Sequence, residues 1–251
     1  MPFHVYQTGQ LFLKLLRILR IDCVCDIGAM DCSESLSFRR ILPTAQLFAF
    51  EASPQNYEQI KGDPRVAEAK IDVHQVAVSC ETGSVEFYPV ETDYSVKSHQ
   101  RGMGSLYPRV GETLSTSSVV VEATRLDRFF EKQRIAAERI ALWVDVEGKA
   151  FEVCEGAEGV LSRVQMIHIE TETCPCIAPG QKLEGDILRL MEAAGFFALA
   201  CDGDQNVPQR NWVFVRRNTT FQLWAMMRIT CFPSAFWRWL KPKVKKVIGR
   251  T

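Results

Sequence analysis

From Ile21 to Arg217 the chain alternates short apolar runs with stretches of helical period, and that alternation constrains its fold more than any other feature. The runs IDCVCDIG, AQLFAFE, IDVHQVAVS, IALWVDVEG and VQMIHIE are short and almost continuously apolar, as strands covered on both faces are. Between them SESLSFRRIL, SPQNYEQIKG, RLDRFFEKQRI, FEVCEGAEGVLSRV and LEGDILRLMEAAGF carry helical spacing. Ser33 or Ser35 is expected to cap the first of these, and Ser53 the second, with Pro54 at its first position and Gly62 after its end. Strands joined through helices make a largely parallel sheet, with ligands gathering beyond the strand C-termini. SVEFYPV reads as a short extension, and FFALACDG and NWVFVRR as a closing antiparallel pair. The expectation is an α/β fold in one domain, residues 21–217, with an addition at each end.

The first addition, residues 1–20, is expected as an amphipathic helix packed on the body. Lys14, Arg17 and Arg20 interrupt its apolar run and no cleavage site follows, so it reads as neither signal peptide nor membrane span. The second addition, residues 218–251, is different in charge. The stretch 221–251 holds seven Lys or Arg and no acid, leaving 23 basic against 30 acidic residues elsewhere, a net −7. An acidic body argues against nucleic acid as its ligand. Residues 234–248, SAFWRWLKPKVKKVI, set Phe236, Leu240 and Val244 on one helical face and Arg238, Lys241 and Lys245 on another. That pattern fits an anionic membrane surface, or docking on the body or a second subunit in a homo-oligomer. Nine cysteines without paired zinc spacing read as reduced thiols of a cytoplasmic protein, peripheral at the inner face of the membrane if the tail binds there.

One segment resists the alternation. Residues 89–118 have no period and are rich in Ser, Thr, Gly and Tyr, as a lid or substrate loop would be. His99, Arg101, Ser105, Tyr107 and Arg109 are its candidate acceptor contacts, with Gly102 and Gly104 giving mobility.

The turn CVCDIGAMDCSES, residues 23–35, ends a strand at Asp26-Ile27-Gly28, where glycine lets the backbone approach a ligand. Glu51 closes the next strand 23 positions after Gly28, an offset suited to an acid that binds ribose hydroxyls. Cys32 stands where a second glycine would be expected, so a dinucleotide diphosphate lacks its bare backbone and a nicotinamide-dependent oxidoreductase is disfavoured. Asp26 and Asp31 would repel a diphosphate, whereas the ammonium and sulfonium of S-adenosylmethionine favour carboxylates.

The strings DIGA at 26–29, AFEASPQNYEQI at 49–60, QVAVSCETGSVEFY at 75–88 and VDVEGKAFEVCEGAEGVL at 144–161 followed by IHIETE resemble the FkbM family of S-adenosylmethionine-dependent methyltransferases. The resemblance implies a Rossmann-like class I methyltransferase fold, a seven-stranded mostly parallel sheet flanked by helices. It implies that Asp26 and Gly28 line the methionine end and that Glu51 binds the ribose, with Ala29 and Ala52 beside them. It also implies O-methylation of a sugar or glycan, which a membrane-bound tail would suit if that glycan is lipid-linked. Met30, Cys32, Trp143 and Ala150 depart from the family's usual motif residues. On those departures rests the alternative, a catalytically silent binding module recruited to a membrane or partner by its tail.

A hydroxyl acceptor must be held in line and lose its proton. Asp145 ends the fourth strand, with Glu147 two further on, and His168 and Glu170 repeat that spacing on the fifth, with Glu172 beyond. Asp145, His168 and Glu170 are the catalytic candidates. Asp145 and Glu170 could also offer oxygen ligands to Mg²⁺ or Ca²⁺. A histidine between Ile167 and Ile169 is equally consistent with buried, hydrogen-bonded structure.

Overall fold

The computed structural model describes residues 3–4, 7–90, 98–108, 117–203 and 207–219. Its elements in order are β1 (Phe3–His4), α1 (Thr8–Ile18), β2 (Cys23–Ile27), α2 (Ser33–Ile41), β3 (Gln46–Glu51), α3 (Pro54–Gly62), α4 (Pro64–Glu68), β4 (Asp72–Gln75), β5 (Ala77–Val78) and β6 (Gly83–Phe87). A 3₁₀ turn at Ser98–Met103 is followed by β7 (Val119–Thr124), α5 (Leu126–Gln133), β8 (Ile140–Val144), α6 (Ala150–Gly156), β9 (Val164–Glu172), α7 (Glu184–Ala193), β10 (Phe196–Cys201) and β11 (Gln209–Arg216).

The main sheet runs β1-β10-β11-β9-β8-β2-β3-β4. Apart from the two-residue edge strand β1, this is the expected seven-stranded sheet. Strands β4, β3, β2, β8 and β9 are mutually parallel, and β11 is antiparallel to both β9 and β10, the short span from Cys201 to Gln209 being enough for the turn between the last two. The fold is Rossmann-like, a mostly parallel sheet flanked by helices on both faces.

Every residue of β2 is buried, which is why CVCDI shows no polar alternation. Its odd-numbered side chains, Cys23, Cys25 and Ile27, join the layer of α5, α6 and α7. Val24 belongs to the opposite layer, with α1 and α2. Phe12, Leu15, Leu16 and Leu19 are buried under α1 while Lys14 and Arg17 remain exposed, so the helix packs on the sheet as its period predicts.

Four expectations are corrected. IDVHQVAVS is not one strand: it breaks at Val76, whose N–H turns back to the Glu51 carbonyl. Its second part, β5, pairs with β7 and through it β6 in a separate three-stranded sheet, and β7 was not foreseen because VVVEAT alternates weakly and keeps Val120 exposed. The helix of FEVCEGAEGVLSRV stops at Gly156, where a Cβ would stand 2.0 Å from the Ser79 carbonyl oxygen. Nor is the loop at 89–118 structureless throughout: Tyr88 and Ser105 exchange two backbone hydrogen bonds, 2.8 and 3.1 Å, and fix the 3₁₀ turn to the body.

Ser53 caps α3 as expected, accepting from the Asn56 N–H at 3.3 Å. The cap of α2 is instead Cys32, left-handed at φ 60°, with Asp31 accepting from the Ser33 N–H. Residues 109–116 and 220–251, with Arg109 and the proposed anchor at 234–248, lie outside the described residues, and so does the side chain of His99. Among the described residues no helix is long and apolar enough to cross a membrane, and the eight described cysteines are free.

Candidate active site

Gly28 adopts φ +88° at the end of β2, and a Cβ there would lie 1.9 Å from the Asp145 carbonyl oxygen. Only glycine fits, because a parallel neighbour's chain crosses directly behind the turn. Gly28 and Ala29 both donate to the Phe50 carbonyl, at 2.9 and 3.0 Å, which ties the turn to β3. Glu51 then closes the loop: its Oε2 accepts from the Met30 N–H at 2.8 Å and its Oε1 from the Ser53 N–H at 2.8 Å. Burial pushes the Glu51 carboxyl up, against the lowering effect of these bonds and of nearby Arg101.

Gly28, Glu51 and Ala52 share one cleft with the apolar side chains of Phe50, Val76 and Val78. Asp26 and Ala29 do not reach it. Asp26 stands one position from Ile27, so it faces the α2 layer, where its Oδ2 accepts from Ser35 at 2.5 Å. There burial, with Glu34 and Asp145 adding repulsion against the Ser35 bond, lifts its pKa to about 8.

The 3₁₀ turn forms the outer wall of the same cleft. Arg101 Nε donates to Asn56 Oδ1 at 3.2 Å, and Asn56 Nδ2 returns to the Arg101 carbonyl at 3.1 Å and to Glu51 at 3.4 Å. Ser105 donates to the Glu147 carbonyl at 2.7 Å. Tyr107 lies beneath Lys149, whose Nζ is 3.9 Å from the ring centre, and its hydroxyl is 3.4 Å from Glu152. Arg101 and Ser105, expected as acceptor contacts, therefore line the cleft of Gly28 and Glu51. Asn56, which joins wall to floor, carried no signal in sequence beyond its place in the first turn of α3.

Beyond β8 and along β9 the carboxylates converge. Asp145 is exposed to the cleft, yet the surrounding protein strips enough water from its carboxyl, with Glu147 and Glu34 adding repulsion, to raise its pKa to about 7. Half-buried Glu170 rises to about 8, through burial and then the charges of Asp145, Glu147, Glu172 and Asp202. The group that could hold a cation is Glu147, Glu170 and Glu172, whose oxygens lie within 4.8 Å of one another. Asp145 is not part of it, so the expected pair of Asp145 and Glu170 is not the set brought together. Gln209 Nε2 donates to Glu170 at 2.9 Å and Glu147 at 3.3 Å, supplying donors where a cation would supply charge.

His168 is sealed in. It stacks on Trp143 with ring centres 3.7 Å apart and planes 6° from parallel, and burial lowers its pKa to about 3. Thr8 donates to Asp202 at 2.7 Å, so its oxygen accepts from His168 Nε2–H at 3.1 Å, which fixes the tautomer. Neither Thr8 nor Asp202 was foreseen. Asp202 closes the apolar run of β10 as Asp145 closes that of β8, and β10 ends at the same edge of the sheet.

A family model, the methyltransferase FkbM domain, matches residues 26–198, from the glycine turn through the acidic strand ends. The chain belongs to the FkbM methyltransferase family. That family is one of S-adenosylmethionine-dependent methyltransferases, and the cofactor expected from the turn follows from membership. The cleft matches it in kind: a bare backbone at Gly28, a buried acid at Glu51, and apolar walls at Phe50, Val76 and Val78.

Among curated proteins the chain is similar to the 2-O-methyltransferase NoeI of Sinorhizobium fredii (strain NBRC 101917 / NGR234), at 25% identity over 154 residues. The match covers 59% of this chain and 62% of that relative's length. Among solved structures it is similar to magnesium protoporphyrin IX methyltransferase of Synechocystis PCC 6803 (12% identity, 84% and 82% coverage, TM-score 0.42). A putative caffeoyl-CoA O-methyltransferase from Staphylococcus aureus stands at 9% identity, 86% and 85% coverage and TM-score 0.46.

Proposed function

We propose that the protein transfers a methyl group from S-adenosylmethionine to a hydroxyl oxygen of a sugar or glycan. The observation that carries this reading is the convergence of Gly28, Glu51 and Asp145 on one cleft. NoeI, a 2-O-methyltransferase, supports oxygen as the acceptor atom.

The cofactor supplies an electrophilic methyl on a sulfonium, so the acceptor oxygen gains a carbon while the sulfur keeps the electron pair of the broken bond. Gly28 admits the ligand to the backbone, Glu51 holds its hydroxyls, and Arg101 and Ser105 close over it. Asp145 takes the acceptor's proton, with Glu170 behind it: a carboxyl raised to about 7 is a better base than an ordinary one. His168, neutral and engaged with Thr8, positions the floor. In this reading residues 21–217 are the catalytic body, and residues 234–248 bind an anionic membrane surface where a lipid-linked acceptor would lie. Cosedimentation with anionic vesicles that is lost on ending the chain at Arg217 tests that attachment.

Calorimetric titration with S-adenosylhomocysteine, with NAD and Glu51→Ala as controls, tests the core of the proposal. Micromolar binding weakened by Glu51→Ala is expected. Binding of neither ligand would leave the silent module standing.

A further inference from the structure

On the other side of Asp145 from the Gly28 cleft lies a second, open groove of about 470 Å³, between the start of α1 and the ends of β8 and β9. Asp145 lines both. A molecule in each would meet at that carboxyl, and no other described residue is common to the two linings.

The groove's chemistry is one-sided. Glu34 contributes from α2, Asp145 and Glu170 from the strand ends, and Asp202 from beyond β10, while its neutral polar groups are the amides of Gln7, Gln10 and Asn211, the hydroxyls of Thr8 and Ser37, and the His168 ring. Among the described residues no lysine or arginine lines it. Its apolar surface is Leu13, Phe38 and Trp143, the last half-buried and immobilised by the His168 stack, by Phe12 and Phe38 at 5.3 and 5.7 Å, and by Gly9, where a Cβ would stand 3.2 Å from the indole. An aromatic plate among convergent hydrogen-bonding groups suits a hydroxylated ring. Glu34, Asp202 and the part-protonated Asp145 and Glu170, raised to about 7 and 8, face no counter-charge among the described residues, so the groove repels an anion and tolerates a cation.

We propose that this groove is the acceptor subsite, and that it admits neutral or amine-bearing hydroxylated rings while excluding those that carry a carboxylate, sulfate or phosphate on the bound ring. The proposal rests on the O-methyltransferase reading above and adds to it the place and charge class of the acceptor. Thr8 and Asp202 are positioning residues here: through His168 they hold Trp143 at the groove's floor.

The test uses the full chain saturated with S-adenosylhomocysteine and three probes of one ring, methyl glucoside, methyl glucosaminide and methyl glucuronide, followed by saturation-transfer NMR. The glucoside and glucosaminide should bind, and the glucuronide at least about tenfold more weakly. Glu34→Lys should narrow or reverse that gap, with Gln10→Lys as a second variant at an exposed position should the first fail to fold. Equal binding of the glucuronide overturns the charge class. A preference unmoved by either lysine, or no sugar bound at tens of millimolar while S-adenosylhomocysteine binds, overturns the groove and leaves the methyltransferase reading intact. Failure to bind S-adenosylhomocysteine removes that reading, and the groove proposal with it.

Discussion

Replacing Glu51 by glutamine separates its two tasks, holding the turn and holding the cofactor. A carboxylate offers about four lone-pair directions. Three are taken by the Met30 N–H, the Ser53 N–H and the Asn56 amide, leaving one for a ligand hydroxyl. Glutamine keeps one oxygen and turns the other position into a donor, so either Met30 or Ser53 loses its acceptor in a site where Glu51 is only 5% exposed. A buried unsatisfied N–H costs about 1–3 kcal/mol, which in a chain of this size lowers the melting temperature by roughly 2–12 °C. Loss of a charge-assisted bond to the ligand costs about 1.5–3 kcal/mol, a roughly tenfold to 150-fold weaker affinity. Calorimetry with S-adenosylhomocysteine and thermal unfolding of the same preparations measure both. An affinity within threefold of the unmodified chain beside a lowered melting temperature would refute the ribose role and leave Glu51 as a brace of the turn.

Gly28→Ala places a Cβ against the Asp145 carbonyl at φ +88°, so it should lose more than about 2 kcal/mol in urea unfolding together with cofactor binding. Asp26, whose carboxyl rises from 3.8 unfolded to about 8 folded, binds its proton more tightly in the native state, so its contribution is largest at low pH and is lost as pH climbs from about 4 to 8. Thermal unfolding should therefore show lower stability at pH 8.5 than at pH 6, with a shallower slope in Asp26→Asn. His168 acts oppositely and only below its unfolded pKa near 6.5, where the unfolded chain takes up a proton that the buried ring refuses. Asp145→Asn should lower kcat by about a hundredfold or more and remove a rate increase through pH 7, measured by methyl transfer to an accepted glycoside.

Gly28 and Glu51 were legible because their signal is local: a glycine after an apolar strand, and an acid at the end of the next. Asp26 and Ala29 were assigned to the same cleft because a motif names neighbours together, whereas both pack into the layer of α1 and α2. Period two tells which residues share a side, but not which side the ligand takes. Arg101 and Ser105 were read as acceptor contacts and line the cleft of Gly28 and Glu51, since nothing in a loop without period shows that Asn56 and the Glu147 carbonyl will fasten it there. Thr8 was out of reach altogether: its partners His168 and Asp202 lie 160 and 194 positions away.

The missing second glycine bears on whether the site is intact. Met30 and Cys32 both adopt left-handed backbone, φ 43° and 60°, at about 1–2 kcal/mol each for residues with a Cβ. The turn nonetheless keeps its form, because three contacts over-determine it: the Phe50 carbonyl takes two of its N–H groups, Glu51 takes the Met30 N–H, and Cys32 is fully buried under the α1–α2 layer. Loss of glycine at 32 is thus a cost in stability met by packing, and the surface that faces the cleft, Gly28 with Glu51 behind it, is the part the substitution leaves unchanged.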